Sequence, residues 1–202
     1  MGALSPSQTI IRYQVENINE AVVPAMVLAG LKANAMPVIP DEYKETIIGW
    51  VPFESPYIPD FVANPFLYNG VSLFSLRIDK KTVPPKVLQQ QMAISFEKRK
   101  TETGREFLSK NEKAEIRELL YDSLLQKTSC IPSVFDFAWD HDLGLAYFYT
   151  AQKAAIEVLE NLFYKSFECR LVRTIPYTQA ACRMTEADED RLAALTPIKI
   201  GD

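Results

Sequence analysis

"SVFDFAWDHDLGLAYFYT", residues 133–150, carries apolar side chains at alternate positions on either side of Asp140, His141 and Asp142. A two-residue period marks a strand with one face buried, and aspartates at the midpoint are turn formers. The spacing therefore predicts a β-hairpin, 133–139 against 143–150, with Gly144 available for a bulge. The period then changes. Thr150 is placed to cap a helix in which Ala155, Val158, Leu159, Leu162 and Phe163 follow the i, i+3, i+4, i+7, i+8 pattern of one apolar face. A hairpin running straight into an amphipathic helix argues for an α+β domain.

Working outward, the same two periods place the other elements. A strand is predicted over 8–15 and a helix over 19–35, with Pro24 near its first turn, where a missing N–H costs least. A β-branched run over 44–53 reads as a strand ending at Pro52. Residues 54–70, with three prolines and Asn69-Gly70, read as loop. Residues 71–79 read as a strand buried largely on one face. Pro84 and Pro85 then open a helix with Leu88, Met92 and Phe96 on one side, and Gly104 breaks it. Ser109 and Glu112 have the spacing of a capping box, and Ile116, Leu119, Leu120 and Leu124 form the stripe of a second helix. Residues 167–175 close as a strand before Pro176. From 184 onward the chain is acidic, without a long periodic face. The expected class is α+β, two α/β units with mainly antiparallel sheets flanking a projecting helical hairpin. Residues 1–79 and 128–183 would form the body, 80–127 the hairpin and 184–202 an acidic tail.

Composition narrows the function. The chain has 202 residues, 48% apolar and 24% charged, with net charge −4. No run approaches the ~18 apolar residues that a membrane span needs, and the first residues lack the basic start and apolar core of a secretory signal. Cys130, Cys169 and Cys182 are odd in number with no close pair, and His141 is the single histidine. That usage fits a cytoplasmic protein and leaves no thiol pair or His/Cys set for a metal or redox centre. Asp136, Asp140 and Asp142 invite comparison with the carboxylates of a metal-dependent nuclease, which must converge on one or two ions. Consecutive residues at a hairpin tip diverge, so the turn reading is preferred. Trp50 and Trp139 read as core, and Cys130 as inert. No catalytic residue, metal site or cofactor is expected.

Charge is distributed unevenly. From Lys80 to Lys127 there are eleven Lys and Arg against seven Asp and Glu, a local charge of +4 that leaves −8 for the rest. The run Lys98-Arg99-Lys100 and Arg105 fall where the helical pair turns. A basic face attracts phosphate backbones whatever the net charge. Interleaved Glu and Lys also occur on any solvated helix laced with i,i+4 pairs. Both readings stand on composition alone.

Several motifs together shift the balance. "GWVPF" (49–53), "LRIDKKTVPPKVLQQQM" leading into "LSKNEKAEIRELLYDSLL", and "FDFAWDHDLGLAYFYTAQKAAIEVLENLF" occur in an order and spacing that resembles the recombination-associated protein RdgC family, over about residues 8–180. Longer members of that family are ring-shaped homodimers that pass duplex DNA through a basic hole and bind it without sequence preference. The resemblance implies a non-enzymatic double-stranded DNA-binding protein of the nucleoid, acting in recombination or replication as a homo-oligomer. It implies phosphate contacts from Lys86, Lys98, Arg99, Lys100, Arg105, Lys110, Lys113 and Arg117. Phe107 and Leu108, apolar residues where the pair turns, would contact the second subunit. The rival expectation is a module whose helical pair oligomerises without binding DNA; a nuclease is a distant third.

Overall fold

The structure is a computed structural model, and it describes residues 2–16, 24–38, 44–181 and 194. Seven strands form one antiparallel sheet: β1 Ile11–Glu16, β2 Thr46–Pro52, β3 Leu67–Tyr68, β4 Val71–Lys80, β5 Ile131–Asp140, β6 Leu145–Phe148 and β7 Arg170–Arg173. Their spatial order is β2-β4-β5-β6-β1-β7, with β3 paired to β4. Five helices accompany them: α1 Pro24–Ala33, α2 Pro85–Thr103, α3 Lys110–Lys127, α4 Lys153–Phe167 and α5 Pro176–Ala181. The class is α+β. The strands assigned to two separate units share one sheet, because β1 leaves the first half of the chain to lie between β6 and β7. Its Tyr13 faces both Ala146 and Arg173.

The β5–β6 hairpin forms where it was expected, with β5 longer and β6 shorter than the 133–139 and 143–150 of the sequence pattern; Phe137 lies opposite Phe148 and Asp140 opposite Leu145, and Gly144 sits at φ 62°. Alternation decides what it buries. Phe137, Trp139, Ala146 and Phe148 point to one face, with Ile11, Tyr13 and Val15 of β1 beside them. α4 covers that face with Ala155, Leu159, Phe163 and Phe167, a strict four-residue stripe. Six aromatic rings, of Trp50, Phe74, Phe137, Trp139, Phe163 and Phe167, meet there at centroid distances of 4.8 to 6.4 Å. Trp50 also donates its indole N–H to the Ser166 hydroxyl at 2.8 Å. Both tryptophans are fully buried core residues.

Four local expectations are corrected. Asn69 and Gly70 both take positive φ, 48° and 84°, and join β3 to β4 as a two-residue hairpin where a loop was expected. Gln152, not Thr150, is the N-cap of α4. The Thr150 hydroxyl instead accepts the Gln152 N–H at 3.2 Å, fixing the approach to the helix. Residues 167–169 belong to the end of α4 and its αL exit at Glu168, so the last strand begins only at Arg170. The chain then turns into α5, which no long apolar period announced. α1 starts at Pro24 among the described residues; its predicted segment 19–23, the acidic stretch expected as a tail (apart from Ala194) and Cys182 lie outside them.

The described residues fall into two compact units. Those within Met1–Ala35, Trp50–Leu76 and Phe135–Asp202 make the first. The second comprises Met36–Gly49 and Arg77–Val134, and so contains α2 and α3. In it, Tyr121 of α3 donates to Glu45 at 2.6 Å, the Lys81 N–H reaches the Glu45 carbonyl, and Arg77 forks onto the buried Asp79 at 2.6 and 2.7 Å.

Candidate nucleic-acid interface

Local chemistry fixes both ends of the α2–α3 turn. Gly104 ends α2 in the left-handed region, φ 64°, with its N–H returned to the Lys100 carbonyl. Ser109 and Glu112 form both halves of the capping box. The Ser109 hydroxyl accepts the Glu112 N–H at 3.2 Å, and the Glu112 carboxylate accepts the Ser109 N–H at 2.8 Å. Those bonds from Ser109, with Arg105 nearby, hold the Glu112 carboxyl below its ordinary value.

The helical pair buries little. No residue of α2 is buried, and Leu125 is the one buried residue of α3. Leu88, Met92 and Phe96 are half-buried, as are Ile116, Leu120 and Leu124. Leu119, expected on the α3 stripe, is 65% exposed instead, because 116, 120 and 124 already define the inward face. Phe107 is 76% exposed, as expected. Leu108 is only 5% exposed. It lines the groove between the helices with Phe96 and Ala93, packed against its own hairpin.

The basic residues do not gather where the sequence run suggested. Consecutive residues on a helix point about 100° apart. Lys98 and Arg99 line one side of the hairpin with Glu102, Glu112 and Glu115; Lys100 lines the other with Phe107 and Lys113. Two cations of the run and Arg105 beyond it are also neutralised locally: Lys100–Glu97 at 2.8 Å, Arg105–Glu112 at 3.3 Å and Arg99–Glu102 at 3.9 Å. Such exposed pairs contribute little to stability, but each offsets a cation that a phosphate would need.

A different set lines up. Lys110, Lys113 and Arg117 stand at i, i+3, i+7 on α3, all exposed, and none pairs with an acid among the described residues. Five residues further along, Glu115, Glu118 and Asp122 repeat the spacing on the opposite flank, also exposed. The helix is thus charge-segregated across its axis. The signal was legible as spacing, but adjacency in the run 98–100 drew attention away from it. Lys86 is exposed at the first turn of α2, apart from this stripe.

The Asp140–Asp142 turn has a structural role. Asp140 accepts the N–H groups of Asp142 and Leu143 at 3.1 and 3.0 Å. His141 turns inward, its ring 4.5 Å from that of Trp139 and its Nε2 2.7 Å from the Ser72 hydroxyl. Burial holds this imidazole below its ordinary value, with Asp140 and Asp142 pulling the other way. Ser72 is fully buried, so this serine–histidine pair has no access for a substrate. Asp136 points elsewhere, accepting from Ser75 at 2.8 Å and from the Ala3 N–H at 2.7 Å. Among the described residues, no three His, Cys, Asp or Glu side chains are grouped to hold a metal, and no helix is long and apolar enough to cross a membrane. Cys130 is half-buried and Cys169 buried, the latter's thiol pushed up by burial.

No protein-family model matches the chain, and no curated protein matches it.

Proposed function

We propose that this chain is a non-enzymatic, sequence-independent double-stranded DNA-binding protein that works at the nucleoid, in recombination or replication, as a homo-oligomer with ring-like dimers as the expected form. The observation that carries the reading is the unpaired stripe Lys110, Lys113 and Arg117 on α3. Seven residues of helix span about 10.5 Å, a length over which duplex DNA presents roughly six charges. Three cations along that line meet phosphates without any need to read bases. Lys86 and Lys98, off the stripe, would add weaker contacts, and Arg99, Lys100 and Arg105 the weakest, since each of these three is paired at home. Fluorescence anisotropy with two unrelated duplexes tests this directly: equal affinities are expected, and Lys113→Glu with Arg117→Glu should weaken both together.

A second reading has its own observation. Phe107, Leu119 and Ile94, the last 55% exposed, leave apolar surface on a hairpin that buries almost nothing. In that reading the hairpin is an oligomerisation module and DNA plays no part. A wild-type chain that self-associates through Phe107 yet binds neither duplex would decide for it.

A further inference from the structure

Between β2 and β3, residues 53–66 turn apolar side chains outward. Val62 is 78% exposed, Tyr57 66% and Ile58 64%. Phe61, Val62, Asn64, Pro65, Phe66 and Leu67 line an open trough of about 390 Å³. Local bonds hold the turn that shapes it. Asp60 accepts the Val62 N–H at 2.8 Å, the Asn64 side chain donates to the Asp60 carbonyl at 2.8 Å, and Phe61 is buried beneath. A contiguous exposed apolar patch on an ordered turn marks a contact surface. Charge says with what. From 53 to 70 the chain carries Glu54 and Asp60 and no Lys or Arg. The turn between α2 and α3 is the converse: Phe107 stands 76% exposed, and residues 98–113 hold six Lys and Arg against three Glu. Lys113, which lines the same groove as Phe107, pairs with no acid among the described residues.

We infer that Phe107 of one copy of this chain seats in the trough over Val62, Pro65, Phe66 and Leu67 of a second copy, with the cations around Phe107 facing Glu54 and Asp60. Two α2–α3 turns meeting by symmetry would set like charges against each other, which is costly. A turn seated on a trough covers both apolar surfaces and joins opposite charges. The contact is heterologous, with different patches meeting on the two copies. It rests on the homo-oligomer of the proposed function and names the surface that receives Phe107.

Val62→Lys and Phe107→Asp, each at an exposed side chain, test this by sedimentation equilibrium of the full chain. Either variant alone should associate about tenfold more weakly than the wild type, or worse, with an unchanged far-ultraviolet spectrum. Mixed one to one, the two should form a heterodimer, because the Phe107→Asp chain keeps its trough and the Val62→Lys chain keeps its Phe107. Glu54→Gln with Asp60→Asn preserves the acceptors for Tyr68 and Val62. That double variant should weaken association and flatten its salt dependence. A Val62→Lys chain that associates like the wild type, or a mixture that stays monomeric, would overturn the inference while leaving the homo-oligomer standing. A monomeric wild type would overturn both, and its sedimentation with phosphatidylcholine vesicles would then assign the trough to lipid.

Discussion

A methyl group on Gly30 would meet the Ser166 carbonyl and stand 2.7 Å from the Phe167 ring, both at the end of α4. Backbone cannot yield there, so Gly30→Ala should lower stability by about 1–3 kcal/mol. Urea unfolding would show this as a lower midpoint at constant slope. His141 supplies a pH dependence. Burial depresses its folded-state pKa below the unfolded value of about 6.5. The unfolded chain therefore takes up the proton first as pH falls. Stability from this group is fully present above about pH 6.5 and is lost as pH drops from there toward the lower folded value. His141→Gln, which keeps a hydrogen bond to Ser72 but cannot titrate, should flatten unfolding midpoints across that window; an unchanged profile would refute the assignment. Some of this was readable at the residue level. Asn69-Gly70 carried a hairpin signal in plain view, whereas nothing local could say that Gly30 faces the end of a helix more than a hundred residues away.

Among elements, α3 is the most informative. Ser109 and Glu112 announced its start, and both bonds form; Ser109→Ala should cost about 1 kcal/mol and speed exchange of the first-turn amides. Sequence spacing also gave the β5–β6 hairpin and the buried face of α4, because a period of two or of 3.6 is a local property. Thr150 misled by proximity, as the helix begins two residues later than a threonine cap would require. The run Lys98-Arg99-Lys100 misled for a geometric reason: neighbours in sequence face different ways on a helix. Reversing those three to Glu should therefore weaken duplex DNA binding less than reversing Lys110, Lys113 and Arg117. Equal losses would remove α3 as the principal phosphate-binding surface.

At the scale of the molecule, the sheet order was beyond the sequence. That β1 lies between β6 and β7 depends on a pairing across some 130 residues that no local period records. The two units also differ in burial. β1, β5 and β6 carry fully buried aromatic residues, whereas α2 has no buried residue. Hydrogen exchange should thus protect amides of β1 and β6 to near the global stability and release those of α2 far sooner. Phe107→Asp should reduce self-association, seen by light scattering, without changing the far-ultraviolet spectrum; a wild-type chain that is already monomeric would rule out the homo-oligomer. The most direct test of the central claim is the salt dependence of duplex binding by the wild type and by Lys110→Glu, Lys113→Glu, Arg117→Glu. Each phosphate contact contributes about −0.9 to the slope of log K against log salt, so a slope of roughly −2.7 or steeper is expected from the stripe. The triple variant should bind more weakly at every salt concentration and lose about three contacts' worth of slope. A wild-type chain that binds no duplex, or a variant whose affinity and slope match the wild type, would contradict the account.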